Sequence, residues 1–338
     1  MVEISGLSRQ MLRELCTDSR ATITELSGKL RITRHIAKKR IESLERDLGL
    51  KYALDLNYNA LGFTKMHLYY LKFSKKPDQS AIEEFMSKSD MVQLAMMTKG
   101  DFDVVMFVLA SNEEEYAKWH LSIALDLAKY GVSFSKSDID IIHHGFVPLT
   151  DKMIELSSVD EIYKRLLVEL NRDSRASISS IAKRLNLGNT MVSYYMKKMV
   201  DDGIIRRFTT VITNPHECFN VLFFVRYTYR EGHVSRIYDK RRLVYFKKEA
   251  EIPMYNSYQM VLSISGGEED FAWASAPTAD EADELVETHR RIFRKDTPEI
   301  RKGTVVKVLK GFMPIRSVDI KAGYQKTQWG PGENYTGD

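Results

Sequence analysis

Two stretches of the chain decide its fold: DSRATITELSGKLRITRHIAKKRIESLERDLGL at residues 18–50, and DSRASISSIAKRLNLGNTMVSYYMKKMVDDGII at residues 173–205. They begin with the same four residues and lie 155 positions apart. Apolar residues recur at matching positions along both, as at Leu26 and Ile181. The repeat is too long for a solenoid unit, so it predicts a two-domain module used twice.

Each stretch, with the residues before it, predicts three helices and a β-ribbon. Thr22 or Thr24 can cap the second helix of the first copy, and Ser177 or Ser179 the second helix of the other copy. The third helices are predicted at about 34–47 and 190–202. They end at glycines 49 and 203, which are good helix stops, and β-prone residues follow. Two helices, a short turn, a third helix and a ribbon are typical of a winged helix-turn-helix.

The segments that follow each stretch predict a second kind of domain. Strands and helices alternate there in the order βαββαβ, the ferredoxin-like pattern, with a basic helix expected near 234–248 in the second copy. The fold class is therefore α+β, with two winged helix-turn-helix domains alternating with two ferredoxin-like domains. The predicted boundaries are 1–62, 63–150, 151–218 and 219–316, with a polar, mobile tail at 317–338.

Composition limits the functional classes. Of the 338 residues, 43 % are hydrophobic and 28 % charged, which is typical of a globular protein. No run reaches the roughly 18 apolar residues of a membrane helix, and no signal peptide is evident. Two cysteines, Cys16 and Cys218, suggest a reducing compartment. We therefore expect a cytoplasmic protein without a membrane partner.

Charge is distributed unevenly along the chain. The net charge is +4 overall, but it is +3 over residues 1–50, −5 over 52–157 and +4 over 158–210. Positive charge is thus concentrated in the two repeated stretches. This asymmetry favours local anion binding there.

The sequence resembles the Lrp/AsnC (feast/famine) family of prokaryotic transcription regulators. The matching motifs are the first helix-turn-helix, the stretch LDLNYNALGF (54–63) and the strand-turn-strand MTKGDFDVVMFVLA (97–110). The second turn, within SGGEEDFAWASA (265–276), departs from the family form. The resemblance covers about residues 5–315 as a tandem-duplicated, archaeal-type variant. It implies a transcription regulator that binds double-stranded DNA and assembles from intramolecular pseudo-dimers into a homodimer or higher oligomer.

The third helices carry the predicted DNA contacts. Residues 29–40 hold six basic side chains and no acid. Ile32, Ile36 and Ile41 are expected on the buried side of the helix. Basic groups at the start of a recognition helix neutralise phosphates, and arginine can bind guanine through two hydrogen bonds. The candidates are Arg31, Thr33, Arg34, His35, Lys38, Lys39 and Arg40 in the first copy, and Asn189, Thr190, Ser193, Tyr194, Lys197, Lys198, Arg206 and Arg207 in the second.

The two reading helices differ, and this predicts a target with two unlike half-sites. An alternative for Tyr194 and Tyr195 is packing on the first helix of their domain. Arg172, Arg175, Lys183 and Arg184 are further candidates for backbone contacts.

The family resemblance also implies a small-molecule effector site, for example for an amino acid. It points to the turn formed by Lys99, Gly100, Asp101, Phe102 and Asp103, and more weakly to residues 266–270. The alternative is a tight hairpin whose aspartate caps its own backbone.

The sequence contains no nucleotide-binding loop, no GxSxG and no HExxH motif. His143 and His144 are neighbours on a predicted strand and point to opposite faces, so they cannot share a metal. We expect no catalytic residues, no metal and no cofactor. The rival hypothesis is an enzyme, because sirohaem decarboxylases resemble the same architecture. Such a site would use His233, Arg226, Tyr227 and Tyr229. A third class is an architectural protein that binds DNA without sequence preference.

Overall fold

The computed structural model describes residues 6–63, 65–139, 141–144, 146–213, 221–228, 259–266, 269–276, 278–292 and 299–314. The helices are α1 Gly6–Thr17, α2 Ile23–Leu30, α3 Arg34–Leu48, α4 Gln79–Lys88, α5 Glu113–Leu127, α6 Asp151–Glu155, α7 Glu161–Arg172, α8 Ile178–Leu185, α9 Asn189–Asp201 and α10 Ala279–Ile292. The strands are β1 Leu50–Leu56, β2 Lys65–Phe73, β3 Val92–Gly100, β4 Val104–Ala110, β5 Val132–Ile139, β6 Ile141–His144, β7 Ile205–Ile212, β8 Val221–Thr228, β9 Gln259–Gly266, β10 Glu269–Ala276, β11 Glu299–Lys310 and β12 Met313–Pro314.

These elements make a mixed helix-and-sheet protein, as the sequence predicts. The short helix α6 was not predicted. The predicted basic helix near 234–248 and the predicted tail at 317–338 lie outside the described residues.

Each repeated stretch forms a three-helix head. Thr22 caps α2 in a reciprocal capping box with Glu25, and Ser177 caps α8, so one of the two predicted caps is used in each copy. Apolar side chains of the three helices meet in a buried core that includes Leu15, Leu26 and their counterparts in the second head.

The β-ribbon is built differently from the prediction. Each head contributes one strand, and β1 of the first head pairs antiparallel with β7 of the second. Leu54 is the register partner of Phe208, and these are equivalent positions when Gly49 is aligned with Gly203. A lone strand leaves its backbone groups unpaired, so each head needs the other to complete its ribbon. The two heads therefore form one paired unit.

Below the heads lies a nine-stranded sheet in the order β5-β2-β4-β3-β11-β8-β10-β9-β6. Because a single residue separates β5 from β6, the two ends of this order are consecutive in the chain and the sheet closes on itself. Two seams join the halves: β3 with β11, and β6 with β9. At the first seam Gly303 is opposite Gly100. A Cβ at residue 303 would lie 2.1 Å from the Phe224 ring, so that position has no room for a side chain.

Alternation along the strands divides the apolar residues between two faces. The inner face holds buried aromatic residues from both halves, including Phe107, Phe224 and Trp273. On the outer face, α4 and α5 cover the first half and α10 covers part of the second. The inner core is continuous with the cores of the heads. The heads thus stand on a packed support, which sets where the reading helices lie.

Candidate nucleic-acid interface

The first reading helix is fixed by its own turn. Arg31 ends α2 in the left-handed conformation, with φ 55°. Thr33 then caps α3, and its hydroxyl accepts a hydrogen bond from the backbone N–H of Ile36 at 3.2 Å. The Thr33 hydroxyl therefore has a local structural role, and the exposed helix face begins at Arg34.

That face carries the predicted cations. Arg34, His35, Lys38 and Lys39 are exposed. Lys38 has a loose contact with Glu42, at 3.9 Å. Within the described part of the chain, no carboxylate lies within ion-pair distance of the other three. Their charge is available to phosphates, which the arrangement suits.

Arg40 is placed differently from its neighbours. It is half-buried, and its guanidinium donates to the Ser8 hydroxyl of α1 at 3.2 Å. This contact ties α3 to α1 across the head, and it turns the Arg40 side chain away from the other cations.

One expectation about α3 is wrong. Ile36 is 41 % exposed, whereas Ala37, Ile41, Leu44 and Leu48 form the buried side. The buried stripe thus runs through Ala37 where the spacing predicts Ile36. The equivalent residue of the second head, Met191, is 46 % exposed. Sequence reasoning missed both as interface candidates. An apolar side chain at the start of a reading helix can contact the methyl group of thymine.

The second reading helix exposes polar groups where the first exposes cations. Asn189, Thr190, Ser193, Tyr194 and Lys197 are exposed, and Tyr194 is 60 % accessible. These groups form the face of α9 that corresponds to the cationic face of α3.

The other predicted residues of α9 have internal partners. Lys198 lies 3.6 Å from Asp202, which raises the pKa of the lysine. Tyr195 packs edge-on against Tyr163 of α7, as its alternative predicts, whereas Tyr194 does not share that contact.

In the ribbon, the two predicted arginines have different roles. Arg206 is exposed, and its guanidinium lies 5.9 Å from the Tyr58 ring centroid. Arg207 donates to the Asp55 carboxylate at 2.9 Å and is mostly buried. Arg206 is thus the member of the pair that can reach a DNA backbone.

The repeated Asp-Ser-Arg-Ala motif joins the heads. The hydroxyls of Ser19 and Ser174 are 2.7 Å apart. Arg20 donates to the carbonyls of Ser174 and Ala176, and Arg175 donates to the carbonyl of Ala21. Burial lowers the pKa of Arg20. The motif places equivalent residues face to face, so the two heads are related by a local twofold axis.

Three of the additional basic candidates are also engaged internally. Arg172 pairs with Asp151 and Glu169, Arg184 pairs with Glu169, and Arg175 stacks on Tyr52. These charges stabilise the head, so they are poor candidates for phosphate contacts.

The turn predicted as an effector site lies at the seam between the halves. Asp101 accepts a hydrogen bond from the backbone N–H of Lys302 at 3.1 Å. A Cβ on Gly100, whose φ is 130°, would lie 2.6 Å from the Lys302 carbonyl. Lys99 is exposed beside them.

The remaining two turn residues point inward. Phe102 is 3 % exposed and packs against Tyr70 and Phe224. Asp103 accepts from the backbone N–H of Phe73 at 3.0 Å, with Lys72 3.6 Å away. Both carboxylates of the turn already have backbone partners, and an effector at this turn stays a prediction. Of the second turn, Gly267 and Glu268 lie outside the described residues.

The residues of the rival enzyme site are dispersed. Arg226 forms an ion pair with Glu269 inside the closed sheet, with its guanidinium 4.4 Å from the Tyr70 ring centroid. Tyr227, the next residue on β8, lies in the outer cluster against α10. Tyr229 and His233 lie outside the described residues. Among the described residues, therefore, Arg226 and Tyr227 do not converge.

Comparison with known proteins identifies the reading heads. Residues 159–206 match a family model described as winged helix-turn-helix DNA-binding. An uncharacterized HTH-type transcriptional regulator of Pyrococcus abyssi is 41 % identical over 51 residues, 15 % of this chain and 34 % of that protein. The HTH-type transcriptional regulator FL11 of the same organism is 26 % identical over 108 residues, 32 % of this chain and 70 % of that protein.

These matches confirm the predicted resemblance to Lrp/AsnC transcription regulators. The chain spans about a third of the length of the first relatives that it matches.

A solved structure shares the whole fold. The siroheme decarboxylase NirDL aligns with a TM-score of 0.55 over 94 % of this chain and 96 % of that chain, at 15 % identity. At this identity the likeness concerns the fold. In the described residues, no helix is long and apolar enough to cross a membrane, and no cluster of metal-binding side chains is found.

Proposed function

We propose that this chain is a sequence-specific DNA-binding transcription regulator of the Lrp/AsnC type. The observation that carries the proposal is the exposed face of Arg34, Lys38 and Lys39 at the start of α3, on heads paired about a local twofold axis. Positive charge there provides salt-dependent affinity, and the helix termini read base edges.

The proposed organisation is a tandem duplication within one chain. Two winged helix-turn-helix domains, at about 1–62 and 151–218, alternate with two ferredoxin-like domains at 63–150 and 219–316. The strand orders β5-β2-β4-β3 and β11-β8-β10-β9 support it, since both read fourth, first, third, second within their half. One chain would then supply the paired heads that two chains supply in a dimeric regulator, and the sheet would set their spacing.

Fluorescence anisotropy tests the regulator function. The full chain is titrated onto DNA from upstream of its own gene and onto a scrambled sequence, across a salt series. Tighter binding to the upstream DNA with a steep salt dependence is the expected result. Equal affinity for both DNAs would indicate an architectural protein, and absence of binding at low salt would contradict the proposal.

Footprinting tests how the two heads read DNA. Because α3 presents cations and α9 presents Asn189, Ser193 and Tyr194, we expect two unlike half-sites. Tyr194→Ala is expected to weaken protection of one half-site by about 10-fold, the equivalent of one lost base contact, while the other half-site keeps its affinity. Ile36→Ala in the first head is the matched variant and should affect the opposite half-site. Two identical half-sites, or an equal effect on both, would contradict this prediction.

The fold likeness to a siroheme decarboxylase makes an enzyme the second candidate. A tetrapyrrole needs an open cavity, but aromatic rings fill the described interior of the closed sheet. The Phe224 and Phe271 rings stack with centroids 5.6 Å apart, and Phe107 lies 6.1 Å from Trp273. These residues do not fit the group. Adding sirohaem to the purified protein should therefore leave the Soret band of the free pigment unchanged, and a shifted, saturable band would support the enzyme instead.

A further inference from the structure

A second cavity lies away from the turn at residues 99–103, where the heads meet the sheet. Its volume is about 620 Å³, within the range of small-molecule sites. One wall is the ribbon, with Lys51 and Val211. The other is the end of β11 and the residues after it, with Lys310 and Phe312. The cavity therefore spans the boundary between a reading head and its support.

Two ammonium groups line this cavity without a carboxylate partner in the described part of the chain. Lys51 is exposed, and its Nζ lies 4.6 Å from the centroid of the Phe312 ring. Lys310 is half-buried and donates to the carbonyl of Ser89 at 2.5 Å. Burial lowers the pKa of Lys310, so an anion beside it would be favoured. The other charges of the lining, Arg172 and Asp151, neutralise each other at 3.0 Å.

The polar amides of the lining are already satisfied. Gln93 accepts from Thr150 and donates to the Asp90 and Met91 carbonyls, and Asn171 donates to Leu149 and Asp151. They shape the wall and leave the recognition of charge to the two lysines. The apolar part of the lining includes Phe312, which is 39 % exposed. A ring with that exposure next to unpaired ammonium groups suits a ligand that has both an anionic end and an apolar body.

We propose that this cavity binds a small carboxylate with an aromatic or branched apolar group. Lys51 and Lys310 hold the carboxylate, and Phe312 packs against the apolar part. Since Lys51 belongs to the head ribbon and Lys310 to the sheet, one bound anion bridges the two layers. If the chain is the regulator proposed above, such a ligand shifts DNA affinity by fixing the heads on their support.

The site is tested without DNA, so that its outcome is independent of the regulator function. The probe is para-fluorophenylacetate, followed by its fluorine NMR line width as the full chain is added. Two comparison compounds separate the contributions: acetate lacks the ring, and para-fluorobenzyl alcohol lacks the charge. We expect saturable binding of the probe, and at least tenfold weaker binding of each comparison compound.

The double variant Lys51→Gln/Lys310→Met is expected to weaken probe binding at least tenfold. Lys118→Gln, at an exposed lysine of α5, is the matched control and should leave binding within twofold of the wild type. Circular dichroism verifies that both variants are folded, and Lys51→Gln alone, on an exposed residue, replaces the double variant if it is not. Binding that is unchanged in the lysine variants, or not saturable in the wild type, overturns the proposal.

A final titration connects the cavity to DNA. Repeating the anisotropy measurement with saturating probe is expected to change DNA affinity at least threefold in the wild type and not in the lysine variant. If the chain binds no DNA, the regulator proposal fails while the NMR result still decides whether the cavity is a ligand site. Probe binding with unchanged DNA affinity would contradict the proposed coupling.

Discussion

Replacing Lys38 and Lys39 together by alanine is expected to weaken DNA binding by about 50-fold near 0.1 M salt. Each phosphate that a protein neutralises contributes about 0.9 to the slope of log K against log salt, so two lost contacts flatten the slope by about 1.8. Both residues are exposed on α3, with a single loose contact to Glu42. Their removal should therefore not destabilise the head. Anisotropy across a salt series measures both quantities.

The matched control is Lys118→Ala/Lys129→Ala, which removes two positive charges from α5 and the turn after it. This pair should change the slope by less than about 0.5, because the Debye length of about 10 Å at 0.1 M salt screens remote charges. An equal loss in both double variants would show that general positive charge, and not the face of α3, drives binding. An unchanged slope in the Lys38/Lys39 variant would exclude α3 as the DNA-contacting helix.

The second large effect is expected at Arg226, where methionine should reduce the free energy of unfolding by about 3 kcal/mol. Arg226 is 8 % exposed, and its Nε donates to Glu269 at 3.0 Å. It also donates to the Ser135 hydroxyl of β5 at 3.2 Å, while Ser137 of β5 donates to Glu269. Removing the guanidinium leaves a mostly buried carboxylate without its cation and breaks a link between the halves of the sheet. Urea denaturation measures the change.

Two further variants separate charge pairing from packing at this site. Arg226→Met/Glu269→Met removes both charges and should recover stability to within about 1 kcal/mol of the wild type. Arg301→Met, next to it on the sheet, breaks a more exposed pair with Glu299 and should cost less than about 1 kcal/mol. A double variant as unstable as Arg226→Met would show that loss of the Arg226 side-chain packing, and not the unpaired carboxylate, causes the effect.

Local chemistry explains what sequence reasoning could predict about the interface. Helix caps act within three or four residues, so the start of α3 at Arg34 and the exposure of Lys38 and Lys39 follow from spacing. Ile36 shows the limit of this reasoning. Helical spacing permits either Ile36 or Ala37 on the buried side, and hydrophobicity favours the larger residue. Packing against α1 and α2 in fact buries the smaller one, because the helices approach closely there.

The repeated Asp-Ser-Arg-Ala motif shows a second limit. The sequence reveals that the motif occurs twice, but not that Ser19 and Ser174 touch. Likewise, two β-prone segments 155 residues apart predict two ribbons, whereas the structure forms one ribbon from both. A strand's pattern fixes which face is buried, but the identity of its partner depends on how distant segments meet.

The sequence by itself determined the α+β class, the two helix-turn-helix copies and the cationic face of α3, because these depend on periodicity, capping and charge over a few turns of helix. The tertiary structure alone decided which charges remain free. Arg40, Arg175 and Arg207 have the same charge as Arg34, but each meets an acceptor contributed by another element. It also created the cavity between the ribbon and the end of β11, whose walls come from segments more than 250 residues apart in the chain. Neither property can be read from local sequence, since both arise only when remote segments are brought into contact.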